Sequence, residues 1–412
     1  MGWDLFGIGA VAFYYARRIL AAPVSDRLST ILGPAFLMSC TRPSMKNLRF
    51  ASCLFSLLVL SILGVPLHAE AAKPGKKNRS KPFHESRQAD EPEFTNFTQW
   101  RSVAELIDEL SDQHGLERET LKAQFSKVHY LDNVVKLINP PPPTKVKNWT
   151  VYRERFIEPT RLRAGVAFWK KYEVVLKRAE TEFGVPAEII VGILGVETMY
   201  GKMTGNVRVV DALATLAFAY PPTANREARM QYFRSELKQV FLLARENDMD
   251  PLSFYGSFAG AIGLPQFMPG SIRRFAVDFD GDGKIDLRNS PADAIGSIAS
   301  FLSQHGWRAD QPLVFPVEVS SQTEATWPSL IGRSLEAKLT REELAHAGIT
   351  INDGIPDSIS YGLVDLQDGG RPTLYWLGTT NFFAIAQYNR SFFYAMTVIE
   401  LGKAVRQQRQ RL

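Results

Sequence analysis

Glu197 closes an apolar run, Ile189-Ile190-Val191-Gly192-Ile193-Leu194-Gly195-Val196-Glu197. A carboxyl group delivered by such a run loses its hydration if the helix is buried. Burial penalises the charged form and raises the pKa, which is what a general acid working near neutrality needs. The plain alternative is an amphipathic helix whose last turn reaches solvent. Thr198-Met199-Tyr200-Gly201 follow, and Gly201 is expected to end the helix. Glu197 then lies in the last turn, where the negative end of the helix dipole also disfavours ionisation. Ser257 and Gln266 form a second polar cluster in another segment of small residues.

A second chemistry is written in Asp278-Phe279-Asp280-Gly281-Asp282-Gly283-Lys284-Ile285-Asp286. Oxygen donors at alternate positions, with Gly at the sharp turn, form the EF-hand pattern for a hard cation. The expected occupant is a structural Ca2+ held by Asp278, Asp280, Asp282, the carbonyl of Lys284, and Asp286. The twelfth position is Asn289 rather than Glu, so Asp293 at the start of the next helix is expected to close the site. The alternative is a solvated acidic turn.

A glycosidase of the usual kind needs a second carboxylate facing the first. Asp211 reads as the N-cap of a helix beginning at Ala212, and Glu227 and Glu236 read onto polar helix faces. No partner acid remains, and that points to a mechanism run by one acid.

The elements that must position these residues are mostly helical. Trp100, Val103, Leu106, Ile107 and Leu110 recur at helix spacing, before Pro140 to Pro143 interrupt. A helix from about 161 to 182 puts Ala167, Phe168, Tyr172, Val175 and Leu176 on one face. Gly184-Val185-Pro186 then starts the Glu197 helix, with Pro186 near the first turn. Helices follow over 211–218, 230–247 and 292–305. Alternation at 312–319 reads as strand, with one short helix at 341–347, and an apolar-aromatic helix runs over 382–405. The fold class is mainly α (α+β): a helical region over 95–309, a small β-containing subdomain over 310–378, and a C-terminal helix over 379–412 that returns to the main body.

The first residues carry an address. Met45-Lys46-Asn47-Leu48-Arg49, an apolar stretch from Phe50 to Val65, and a small-residue site ending near Ala69 or Ala71 have the order of a secretory signal over 45–71. The apolar stretch is short for a spanning helix. Residues 1–44 read as an extension from a start codon placed too far upstream. Leu37-Met38-Ser39-Cys40 matches a bacterial lipoprotein box imperfectly, since Met38 is bulky for its place. Residues 72–94 are a polar, basic tether. Both cysteines, Cys40 and Cys53, precede the cleavage site, so the exported chain needs no disulfide. The net charge of +5 suits an anionic polymer, but zinc-finger spacing, RNA-binding aromatic signatures and dense basic helices are missing, so nucleic acid is not an expected partner.

The texts Gly192–Gly201, Asp211–Phe218, Gly256–Pro269, Asp278–Asp286 and Tyr388-Asn389-Arg390-Ser391 resemble, in order, the bacterial lytic murein transglycosylase B family over about 96–407. The resemblance implies a lysozyme-like helical core with flanking α and β subdomains. It also implies cleavage of the β-1,4 bond between N-acetylmuramic acid and N-acetylglucosamine without net hydrolysis. Carried over, Glu197 is the single acid/base, and Ser257, Gln266 and Asn389 line the cleft, with Ser257 and Asn389 bonding the N-acetyl group. Tyr232, Phe267, Tyr388 and Tyr394 stack on sugars, and Tyr152 and Arg229 match less closely. Phe267 and Tyr394 could instead be plain core, and Pro265 stands where a small residue is expected. The partners implied are peptidoglycan glycan strands and wall-remodelling proteins, for a periplasmic monomer that could be attached to the outer membrane. The rivals are a muramidase using water as nucleophile and an inert, calcium-stabilised wall-binding protein.

Overall fold

In a computed structural model, the structure describes residues 97–412 apart from 140–145, 322–325 and 333. The signal, the tether, the upstream extension and the Pro140–Pro143 interruption therefore lie outside the described residues. The helices in chain order are α1 (Arg101–His114), α2 (Arg118–Phe125), α3 (Asp132–Ile138), α4 (Trp149–Glu154), α5 (Pro159–Lys171), α6 (Glu173–Phe183), α7 (Ala187–Thr198), α8 (Val209–Phe218), α9 (Arg226–Glu246), α10 (Pro269–Phe275), α11 (Pro291–Gln304), α12 (Arg341–His346), α13 (Thr380–Asn389) and α14 (Phe392–Gln410). The strands are β1 (Val207–Arg208), β2 (Tyr255–Gly256), β3 (Val314–Val319), β4 (Ile349–Thr350), β5 (Gly362–Asp368) and β6 (Arg371–Gly378).

Helix α7 is apolar on every side, and a helix of that kind must be surrounded. All its residues but Glu188 are buried, with α14, α5, α6 and α11 packed around it. The closest neighbour is α14, which crosses antiparallel at backbone contact. A Cβ on Gly192 would stand 2.3 Å from the Val398 carbonyl oxygen, and one on Gly402 would stand 2.2 Å from that of Glu188. Moving along α7 towards Glu197 therefore moves back along α14 towards Tyr394. Helix α8 is buried throughout as well, and lies against α9 and α3.

The small subdomain is a four-stranded antiparallel sheet in the order β4-β3-β6-β5. Its strands have two apolar faces. Val364 and Leu366 join the main core, while Leu363, Leu377 and Val317 pack with Leu344 and Ile349 in a second one. Asp368 pins the sheet to the start of α4, accepting from the backbone N–H of Thr150 at 2.7 Å and its hydroxyl at 2.9 Å.

Several boundaries differ from the expected ones. The helix over 161–182 is two helices broken at Tyr172, and its buried face uses Gly165, Phe168 and Trp169 while Ala167 is exposed. A Cβ on Gly165 would stand 2.4 Å from the Tyr200 hydroxyl and 2.7 Å from Val405 Cγ2, so glycine there lets these side chains close over α5. The helix of Glu197 stops at Thr198, and Met199 and Tyr200 already have positive φ before Gly201. The apolar-aromatic stretch over 382–405 is also two helices. Arg390 adopts a left-handed conformation (φ 47°), and Ser391 caps α14 by accepting from the Tyr394 N–H.

Candidate active site

Glu197 is 5% exposed, and burial raises its pKa to about 7. The carboxyl is ringed by phenols: Tyr152, Tyr388 and Tyr394 are each pushed up, first by burial and then by the Glu197 charge. Tyr394 is the opposing influence on Glu197. Its hydroxyl falls short of an ordinary hydrogen bond, yet it favours the carboxylate and lowers the pKa by less than burial raises it. Replacing Tyr394 by Phe should remove that influence. The descending limb of the pH–rate profile should then move to higher pH, as read from kcat/KM between pH 5 and 9.

The end of α7 is tied to the segment that carries Gln266. The Thr198 hydroxyl donates to the Leu264 carbonyl at 2.9 Å and accepts from the Gly201 N–H at 3.0 Å. The Tyr388 hydroxyl donates to the Pro265 carbonyl at 2.5 Å. Pro265 is accommodated by a tight turn in which Ile262 and Phe267 exchange both backbone hydrogen bonds, at 2.8 and 3.1 Å. Gln266 inside that turn has φ 53°, a strained conformation for a residue with a side chain. Its Nε2 donates to the carbonyls of Gly263 and Thr204, while its buried Oε1 has no partner among the described residues. Ser257 is buried just after β2, and its hydroxyl oxygen accepts the Ala261 N–H at 3.1 Å. Asn389 is the buried last residue of α13.

The remaining expected cleft residues divide. Tyr152 and Tyr388 are half-buried beside Glu197, and Tyr232 shows 37% of its surface. Arg229 is buried near Tyr220 and Tyr232, and its charge draws both phenols down against burial. Phe267 is a correction. It is 2% exposed, with ring centroids of Phe301 and Tyr388 both at 5.7 Å, so it supports the Tyr388 ring and offers no face to a sugar. Tyr394, at 1% exposure, likewise has no free face.

The search for a second acid also needs correcting. Asp211 is no N-cap: α8 starts at Val209, and the Asp211 carboxylate accepts from Arg208 at 2.7 and 2.8 Å and from the His129 N–H at 2.9 Å. Glu236 is buried rather than on a polar face, and it caps α10 by accepting the Gly270 N–H at 2.8 Å. Neither carboxylate is among the groups that shift Glu197.

In the acidic loop, single carboxylate oxygens of Asp278, Asp280 and Asp282 lie within 4.8 Å of one another. Oxygens bound to one Ca2+ at about 2.4 Å must lie within about 4.8 Å of each other, so this donor set fits the ion. Asp286 and Asp293 are outside the group. Asp293, expected as the closing ligand, is buried, and its two oxygens accept the backbone N–H groups of Phe279, Asp280 and Asp286. It organises the loop from beneath. Lys284 bonds through its N–H to Asp282 at 2.9 Å.

Glu197 is thus a buried acid at the end of an almost wholly buried helix, coupled through its charge to three phenols. Residues 97–403 match the family model described as the transglycosylase SLT domain, and the chain belongs to that family. The membrane-bound lytic murein transglycosylase B of Escherichia coli K12 is 42% identical over 313 residues, covering 74% of this chain and 82% of that protein. Lytic transglycosylase SltB1 from Pseudomonas aeruginosa superposes with a TM-score of 0.69 at 42% identity, over 76% of this chain and 99% of that one. The Escherichia coli lytic transglycosylase Slt35 in complex with calcium gives a TM-score of 0.63 at 39% identity, over 75% and 94%. The fold is thus the lysozyme-like one, and the protein is an enzyme, a lytic murein transglycosylase.

Proposed function

We propose that Glu197 alone serves as acid and then base in cutting the β-1,4 bond between N-acetylmuramic acid and N-acetylglucosamine of peptidoglycan. Protonated Glu197 gives its proton to the glycosidic oxygen as the bond to C1 breaks. The resulting carboxylate then takes the proton of the muramic acid C6 hydroxyl as that oxygen attacks C1, closing the 1,6-anhydro ring. An internal nucleophile has a high effective concentration, so no carboxylate from the protein is needed at C1. Ser257, Asn389 and the unpaired Gln266 Oε1 are suited to the N-acetyl group and sugar hydroxyls, and Tyr152, Tyr232 and Tyr388 to the ring faces. The observation that carries this reading is Glu197 buried at the end of α7, with burial raising its pKa to about 7 and no second carboxylate acting on it among the described residues. Digestion of purified sacculi followed by mass spectrometry tests it. Anhydro products are one water lighter than reducing ones, and reducing products would assign a muramidase instead.

The substrate surface follows from the same reading: glycan strands met in the periplasm, by a monomer exported through residues 45–71. Among the described residues no helix is long and apolar enough to cross a membrane.

The acidic loop would hold Ca2+ through Asp278, Asp280 and Asp282, and the ion would neutralise carboxylates that otherwise repel. Its part is structural. A ligand bound only by the folded state stabilises it by about 2.7 kcal/mol at 100 times its Kd. Chelation should therefore lower the apparent Tm by several degrees, and readdition of Ca2+ should restore it. An unchanged Tm, with no heat of Ca2+ binding by calorimetry, would remove the ion from the account.

A further inference from the structure

We propose that Arg288 is a positioning residue for the cleft: its guanidinium ties the acidic loop to the paired strands β1 and β2 and so sets the position of Ser257, the residue just after β2. The inference rests on reading Ser257 and Gln266 as cleft residues. Arg288 Nη1 donates to the carbonyl of Gly205, two residues before β1, at 3.1 Å and to that of Tyr255, in β2, at 3.0 Å. Nη2 donates to Asn206 Oδ1 at 3.0 Å. All three acceptors are neutral, so the group is used here for its planar fork of donors more than for its charge. Tyr255 stands two residues before Ser257.

The neighbouring residue holds the other end of the same segment. Leu287 accepts the Leu264 N–H on its carbonyl at 2.8 Å, two residues before Gln266. Residues 287 and 288 together therefore grip the 255–266 segment at both ends. Glycines leave little slack in between. A Cβ on Gly205 would meet the Gly256 carbonyl oxygen at 2.2 Å, one on Gly256 that of Ala261 at 2.0 Å, and one on Gly263 that of Leu287 at 2.3 Å. The grip itself is anchored, because Asp286 accepts the Arg288 N–H at 3.0 Å and Asp293 accepts the Asp286 N–H at 2.8 Å. Backbone packed this closely transmits displacement, so unpinning β2 carries Ser257 with it.

The test uses the full chain with Ca2+ present and the variants Arg288→Ala, Arg288→Lys, Ser257→Ala and the double variant Arg288→Ala/Ser257→Ala. Arg288→Ala should lower kcat/KM on sacculi by about tenfold or more, a size seen when a reacting group is displaced slightly. In a Glu197→Gln background it should weaken chitotetraose binding, measured by calorimetry, by about fivefold. Lysine offers one donor point in place of a fork, so Arg288→Lys should recover only part of the loss, and it remains informative if the alanine variant folds poorly. The deciding readout is the cycle: if Arg288 acts through Ser257, its loss should shrink to about twofold or less once Ser257 is gone. An equal Arg288→Ala penalty in both backgrounds, or full activity in Arg288→Lys, overturns the proposal while leaving the cleft reading intact. A Ser257→Ala variant with unchanged activity and binding overturns both.

Discussion

Glu197→Gln is expected to lower the release of anhydro-muropeptides by at least about 100-fold, the lower end of what a positioned general acid contributes. The amide fills the same space and keeps hydrogen-bonding capacity, but it neither donates a proton to the leaving oxygen nor retrieves one from the C6 hydroxyl. The same change should stabilise the fold at alkaline pH. A carboxyl whose pKa rises from 4.5 to about 7 on folding makes the folded state bind more protons than the unfolded state between those values. Stability is therefore lost as pH rises through that window, by about 3 kcal/mol in all. Glutamine has no such dependence. The variant's advantage in Tm should be full at pH 8, shrink through pH 6 and vanish below about pH 4, as read by thermal unfolding across pH. A variant keeping a tenth or more of the activity, or equal Tm values at pH 8, would take Glu197 out of the role.

The wild-type pH–rate profile shares that origin. On the proposed mechanism the reaction starts from protonated Glu197, so kcat/KM should fall as pH rises through about 7. On that mechanism the one group is both the reaction's acid and a stability liability at alkaline pH. Local burial of a catalytic acid has this cost because desolvation acts on the charged form whatever the purpose of the group.

The apolar run before Glu197 was legible in the amino-acid sequence, but it left open whether the last turn met solvent; the burial depends on the packing of α14, α5, α6 and α11 around α7. The acidic loop was legible because alternating aspartates and glycines are a local pattern, and three of its carboxylates do converge. What escaped depends on distant partners. Glu236 lies in a helix rich in polar residues, and only the Gly270 N–H, from another part of the chain, explains its burial. Phe267 and Tyr394 have the residue types of a sugar platform, but residue type does not say whether a ring face is covered, and here Phe301 and α14 packing cover them. Arg288 passed unnoticed because an arginine in a loop is ordinary until its three acceptors are known. The break at Arg390 had a local signal, the Asn-Arg-Ser interruption of an apolar stretch, that apolar content alone outweighed.

Gly192→Ala should destabilise the protein by about 2 kcal/mol or more, even though alanine is the better helix former. The intrinsic preference for Ala over Gly in a helix interior is worth about 1 kcal/mol. Against it stands a Cβ placed 2.3 Å from the Val398 carbonyl oxygen, an atom of α14 backbone that no rotamer change can move. Relief requires α7 and α14 to part by about 1 Å, and overpacking of this kind typically costs 1–3 kcal/mol, more when backbone must shift. Gly354→Ala is the control, because nothing lies within 4 Å of its added Cβ. The parting also has a chemical consequence. Helix α7 carries Glu197 and α14 carries Tyr394, so separating them weakens the one influence that lowers the acid's pKa. Gly192→Ala should therefore lose several degrees of Tm and move the descending limb of kcat/KM to higher pH, whereas Gly354→Ala changes neither. A Gly192→Ala protein as stable as the parent would mean that the two helices are not in the backbone contact that brings Tyr394 to Glu197.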